Sequence, residues 1–73
     1  MLQPHLTLRI EVEREEDGRW LAEVLELPGV MVYGSSTADA QVKVQALALR
    51  VLADRIENGE GALERLEIRF NAA

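Results

Sequence analysis

From Leu6 to Val12 apolar and polar residues alternate without a break. Leu6, Leu8, Ile10 and Val12 fall on one side, and Thr7, Arg9 and Glu11 on the other. Period two sends successive side chains to opposite faces, so the segment predicts a strand with one wet face. The pattern stops in EREEDGR, where Asp17-Gly18 marks a hairpin turn, because Asp tolerates and Gly readily adopts the backbone angles that turn needs. A second strand is predicted from Arg19 to about Glu26. Leu27-Pro28-Gly29 then sets a fixed φ before a permissive residue and leads into a third strand, Val30 to Gly34. After Gly34 the run SSTAD offers hydroxyls and a carboxylate to the unpaired N–H groups of a helix start, with Ser36 and Asp39 at capping-box spacing. The helix is expected from about Thr37 to Asn58, with Asn58-Gly59 as a left-handed C-terminal cap and GEG as the connection onward. LERLEIRF alternates again, Leu66, Ile68 and Phe70 against Glu67 and Arg69, and predicts a fourth strand.

Strands two and three lack the wet face that strands one and four possess. Strand two sets Trp20, Ala22 and Val24 against Leu21, Glu23 and Leu25, and strand three sets Val30 and Val32 against Met31 and Tyr33. At about 100° per residue the helix carries two apolar stripes. One is Ala40, Val44, Leu47 and Val51; the other, roughly opposite, is Val42, Ala46, Leu49, Ala53 and Ile56. Only one stripe can lie on the chain's own sheet, and one helix covers one sheet face. The remainder is an apolar patch larger than soluble monomers usually expose.

Length sharpens that conclusion. A chain of 73 residues forms one domain, which hides only about 60% of its unfolded surface. It has no cysteine, so disulfides and thiolate metal sites are excluded. Oligomerisation is the remaining usual support. A homo-dimer or tetramer is therefore expected, with a self-association or partner surface drawn from Trp20, Leu21, Leu25, Met31, Val32 and Tyr33 and from Leu49 and Ile56 of the second stripe. The alternative is that loop residues and the termini cover the strands from both sides.

Thirteen acidic against eight basic residues give a net charge of −5. That opposes direct nucleic-acid binding, which rests on cationic contacts to phosphate. No apolar run is long enough for a bilayer span, and MLQPHLTLRIEVE lacks the basic start and apolar block of a signal peptide, so a cytoplasmic protein is expected. The acidic runs Glu13 to Asp17 and Glu57 to Glu60 either complement a basic partner or keep their loops solvated. A metal-dependent nuclease would need converging carboxylates, for which Glu11, Glu13, Glu23, Glu26, Asp39 and Asp54 are the candidates. Most have simpler roles: Glu11 and Glu13 on the wet face of strand one, Asp39 in the cap, and Asp54 four residues from Arg50, at ion-pair spacing. His5 begins a terminal strand with no nucleophile nearby in sequence. Ser35 and Ser36 follow Gly34 without the Gly-x-Ser-x-Gly frame of a nucleophile elbow. No catalytic residue, metal ligand or cofactor is expected.

The stretch DGRWLAEVLELPGVMVYGSSTADA, residues 17 to 40, resembles the HicB-like antitoxin pattern: an Asp-Gly turn, an aromatic, Ala-x-Val, Leu-Pro-Gly, then Gly-x-[Ser/Thr] leading into a helix. Asp17, Gly18, Trp20, Ala22 to Val24, Leu27, Pro28, Gly29, Gly34 and Thr37 occupy those positions, with Ser36 as the cap. The resemblance spans about residues 5 to 70. It implies an α+β domain over residues 1–73 of order β-β-β-α-β, with a degraded ribonuclease-H-like architecture: one four-stranded mixed sheet, strand four parallel to strand one, and a single helix on one face. It also implies a protein that masks a small mRNA-cleaving, HicA-like toxin by steric occlusion. Family members usually append a promoter-binding module, whereas only Asn71-Ala72-Ala73 follow the last strand here, so autorepression by this chain is not expected. An orphan oligomer without a toxin and a residual metal-dependent nuclease are the alternative functions.

Overall fold

In a computed structural model describing residues 5–60 and 65–73, the first alternating segment becomes β1 (His5–Arg14), followed by β2 (Trp20–Val24) and β3 (Met31–Gly34). Helix α1 (Thr37–Arg55) and β4 (Glu67–Ala72) complete an α+β domain with the expected β-β-β-α-β order. The sheet order is β3-β2-β1-β4, antiparallel through the meander and parallel between β1 and β4. The parallel register, His5 opposite Glu67 through Ile10 opposite Ala72, continues in the Ala73 N–H, which donates to the Ile10 carbonyl at 2.9 Å.

Both turns in the meander follow from their glycines. Gly18 closes a turn by donating to the Glu15 carbonyl at 3.0 Å and has φ +89. Val30 donates to the Leu27 carbonyl at 3.0 Å across Pro28-Gly29, and Gly29 has φ +85. A side chain would strain either backbone, and Pro28 supplies the negative φ that precedes Gly29. β1 extends two residues past the expected end because Arg14 still pairs with Trp20. β2 ends at Val24, earlier than expected, because Leu27 donates to the Val24 carbonyl as the chain turns.

The core lies between the sheet and α1. Leu8 and Ile10 of β1, Ala22 and Val24 of β2, and Leu27 and Val30 flanking the turn are buried against Ala40, Val44, Ala48 and Leu52. The buried helix row is thus spaced every four residues and includes Ala48 and Leu52, which the expected stripe omitted; Leu47 and Val51 pack half-buried beside it. Small side chains decide this phase, because Ala40 and Ala48 let the helix approach the strands closely. Gly34 is part of the same approach. A Cβ there would lie 2.7 Å from Ala40 Cα and 2.9 Å from Ala40 Cβ, so only glycine admits the helix start at this height.

The helix begins as its cap residues require. Ser36 Oγ accepts from the Asp39 N–H at 3.0 Å, while the Asp39 carboxylate accepts from the Ser35 N–H at 2.9 Å. The return bond therefore goes to the residue before the cap, unlike a standard capping box. Regular α-helix ends at Arg55, short of the expected Asn58. A kinked turn, Ile56–Glu60, follows with non-helical backbone at Asn58 and Gly59; Asn58 Nδ2 donates to the Asp54 carbonyl at 2.7 Å and Gly59 has φ +82. The remainder of the GEG connection and the start of LERLEIRF lie outside the described residues. β4 runs two residues beyond Phe70, to Ala72.

Candidate functional site

α1 covers one face of the sheet, and the strand registers determine what the other face carries. In the row across β1, β2 and β3, Glu11 stands opposite Glu23 and Glu23 opposite Met31; in the next, Glu13 stands opposite Leu21 and Leu21 opposite Tyr33. Paired residues share a face. The helix-free face therefore grades from acidic on β1 to apolar and aromatic on β3. Met31 and Tyr33 remain 45% and 44% exposed. Leu25, one residue past β2, prolongs the antiparallel ladder by donating its N–H to the Arg9 carbonyl at 3.0 Å, which places it by alternation on the Glu23 side.

Two arginines are fixed at the margins of this face. The Arg19 guanidinium lies 4.0 Å from the Tyr33 ring centroid and also donates to Asp17 Oδ2 at 2.7 Å. It thus caps the aromatic ring while held by the hairpin turn. The Arg9 side chain and backbone N–H both donate to Glu26, at 2.6 and 2.7 Å. The Arg19 backbone N–H, then its guanidinium, holds the Asp17 carboxyl below its ordinary pKa; Arg9 does the same for Glu26, again chiefly through its backbone N–H.

The expected interaction residues do not form one continuous surface. Leu21, Leu25, Met31 and Tyr33 share the helix-free face, but Trp20 pairs with Gly34 and Val32 with Ala22 on the helix side. Trp20 and Val32 pack half-buried against the core, with the Arg14 guanidinium 5.7 Å from the Trp20 ring centroid. They belong to the helix side because strand alternation separates them from their immediate neighbours. The second helix stripe is open: Val42, Leu49 and Ile56 are 66%, 46% and 38% exposed. Val42 and Ala46 join Val32, Leu47, Lys43 and Arg50 around a groove between α1 and β3.

The carboxylates considered for metal chemistry are dispersed. Among the described residues no three His, Cys, Asp or Glu side chains come together in a group able to hold a metal ion. Asp39 is held by Lys43 at 3.0 Å and by the Ser35 N–H. The Arg50–Asp54 pair allowed by their spacing is not among the ion pairs formed by the described residues. His5 Nδ1 lies 2.8 Å from Glu67 Oε2, tying the start of β1 to β4. Ser35 and Ser36 are engaged with Asp39 at the helix start. Among the described residues no helix is long and apolar enough to cross a membrane.

One feature invisible to residue-type patterns is the backbone of β3. Val24 donates to the Val30 carbonyl at 3.0 Å; with the β2–β3 register, this directs the N–H and C=O groups of Val30, Val32 and Gly34 toward β2. Those of Met31 and Tyr33 therefore point to the open edge. Strand order was the missing information. Comparison of the chain with family models, curated proteins and solved structures finds no match.

Proposed function

We propose that this chain is a HicB-like antitoxin-type protein that binds a small basic, HicA-like mRNA-cleaving toxin and neutralises it by covering its working surface. The observation that carries this reading is the helix-free sheet face, where Leu21, Met31 and Tyr33 lie beside Glu11, Glu13 and Glu23. An apolar centre with an acidic border supplies burial for affinity and charge for capture of a basic protein. The protein acts by occlusion in the cytoplasm, where the toxin's mRNA substrate is found, and performs no chemistry itself.

Isothermal titration with a HicA-like toxin encoded beside this chain tests the proposal. Stoichiometric binding is expected, weakened at least tenfold by Leu21→Glu and progressively by salt; a flat titration would remove the toxin-neutralising role. A second reading, an oligomeric domain without a toxin, is favoured by the exposed Val42 and Leu49 stripe, which the sheet-face contact does not use. Recovery of the tagged chain from its own cells distinguishes the two. A small basic protein in equal amount supports neutralisation, and the chain alone supports the oligomer.

A further inference from the structure

The apolar groups left open on the two sides of the sheet meet at one place, the outer edge of β3. Met31 and Tyr33 flank that edge on the helix-free side, and Val42 and Ala46 flank it on the helix side. The strand itself, MVYG, contains no charge or proline. The opposite outer strand, β4, carries Glu67 and Arg69, the kind of charged edge that discourages pairing. α1 packs on β2 and β3 and only lightly on β1, so the helix sits near the β3 edge instead of over the middle of the sheet.

We propose that two copies of this chain join through β3, antiparallel about a two-fold axis at Val32, making one eight-stranded sheet. The proposal deepens the self-association reading above and does not depend on a toxin. Its backbone geometry is self-complementary. With Val32 opposite Val32, Met31 of each copy faces Tyr33 of the other, and these are the residues whose N–H and C=O groups point outward. Each such pair exchanges two hydrogen bonds, so the unpaired edge groups satisfy one another.

The position of the helix fits the same axis. Strands lie about 4.8 Å apart, and a helix seated over β2 and β3 meets its two-fold mate at roughly the 8–10 Å typical of packed helices. Val42 and Ala46, which line the groove beside β3 with Leu47, then form the helix–helix seam. An acidic chain can meet itself here because Glu11 and Glu13 lie on β1, two strands in from the contact, and Glu23 on β2, one strand in. Cations border the seam instead: Lys43 and Arg50 line the groove, and antiparallel helices centred near Ala46 bring Arg50 of one copy within a turn of Asp39 of the other.

Sedimentation of the purified chain and oxidation of a Val32→Cys variant test this contact. The expected results are a particle of twice the 8.2 kDa chain mass, or pairs of such dimers, and a disulfide-linked dimer of V32C under mild oxidation. Thr7→Cys, on β1, serves as the uncrosslinked control. Val42→Glu, on an exposed helix position, is expected to return the particle to monomer mass with an unchanged circular dichroism spectrum. Met31→Pro should do the same, because it removes an N–H that faces away from β2. A wild-type chain that stays at monomer mass at the highest concentration sedimentation can reach would overturn the proposal. So would a dimer in which V32C does not crosslink, since its contact would lie elsewhere and leave the β3 edge to another protein.

Discussion

At the scale of single residues, fit around the helix start matters most. Gly34→Ala would push a methyl group into the backbone of Ala40, with Ala40 Cα only 2.7 Å away. Because backbone cannot rotate aside as a side chain can, this variant is expected to lose about 3 kcal/mol in chemical denaturation. Ser36→Ala removes the acceptor for the Asp39 N–H and should cost about 1 kcal/mol. The carboxyls of Asp17, Glu26, Asp39 and Glu67 are all held below their ordinary values of 3.8 for Asp and 4.5 for Glu. For Asp39 the largest cause is the Ser35 N–H, followed by Lys43; for Glu67 it is Arg65, followed by His5. The folded chain therefore binds these protons less tightly than the unfolded chain. Their contribution is fully present above the ordinary values and disappears as pH falls through the lower folded ones. A melting-temperature series should decline on the acid side of about pH 4.5, and less steeply in Asp39→Asn. The exposed positions of these groups keep the effect modest.

At the scale of elements, the two apolar stripes of α1 should respond differently to the same deletion. Leu52→Ala empties a site that is 1% exposed and should cost about 3 kcal/mol. Leu49→Ala, at a 46% exposed site, should change the stability of the dilute chain by no more than about 0.5 kcal/mol. Urea unfolding of both variants gives the comparison. Leu52 also shows where the sequence was hard to read. Alternation revealed β1 and β4 because polar or charged residues occupy every second position, and Asp17-Gly18 and Pro28-Gly29 placed the turns through their backbone preferences. The helix rotation was less visible: Ala48 contributes little to an apolar pattern, yet it is fully buried between helix and sheet. The surplus of exposed apolar residues was legible in the sequence, but where they lie on the fold was not. Trp20 and Leu21 are adjacent in sequence and lie on opposite sides of the sheet, while Val32 and Val42 border one groove from different elements.

At the scale of the whole molecule, a β3-linked dimer would unite two helix-free faces. Met31 and Tyr33 of both copies would lie at its centre, with the acidic residues of each β1 toward its flanks. A basic partner should then bind the dimer more tightly than the Val42→Glu monomer, which titration at matched chain concentration can measure. Dilution should lower the melting temperature of the wild-type chain and leave that of V42E unchanged, because association stabilises only the former by mass action. The parallel pairing of β1 with β4 bears on how the chain is made. His5 and Glu67 stand 62 positions apart and become strand neighbours only at the end of folding order along the chain. While a nascent chain still lacks residues 67–72, β1 can pair with β2 on one side and has an open hydrogen-bonding edge on the other. Translation that pauses before Glu67 would therefore leave a sheet edge available to neighbouring nascent chains, and the arrival of the last strand would withdraw it.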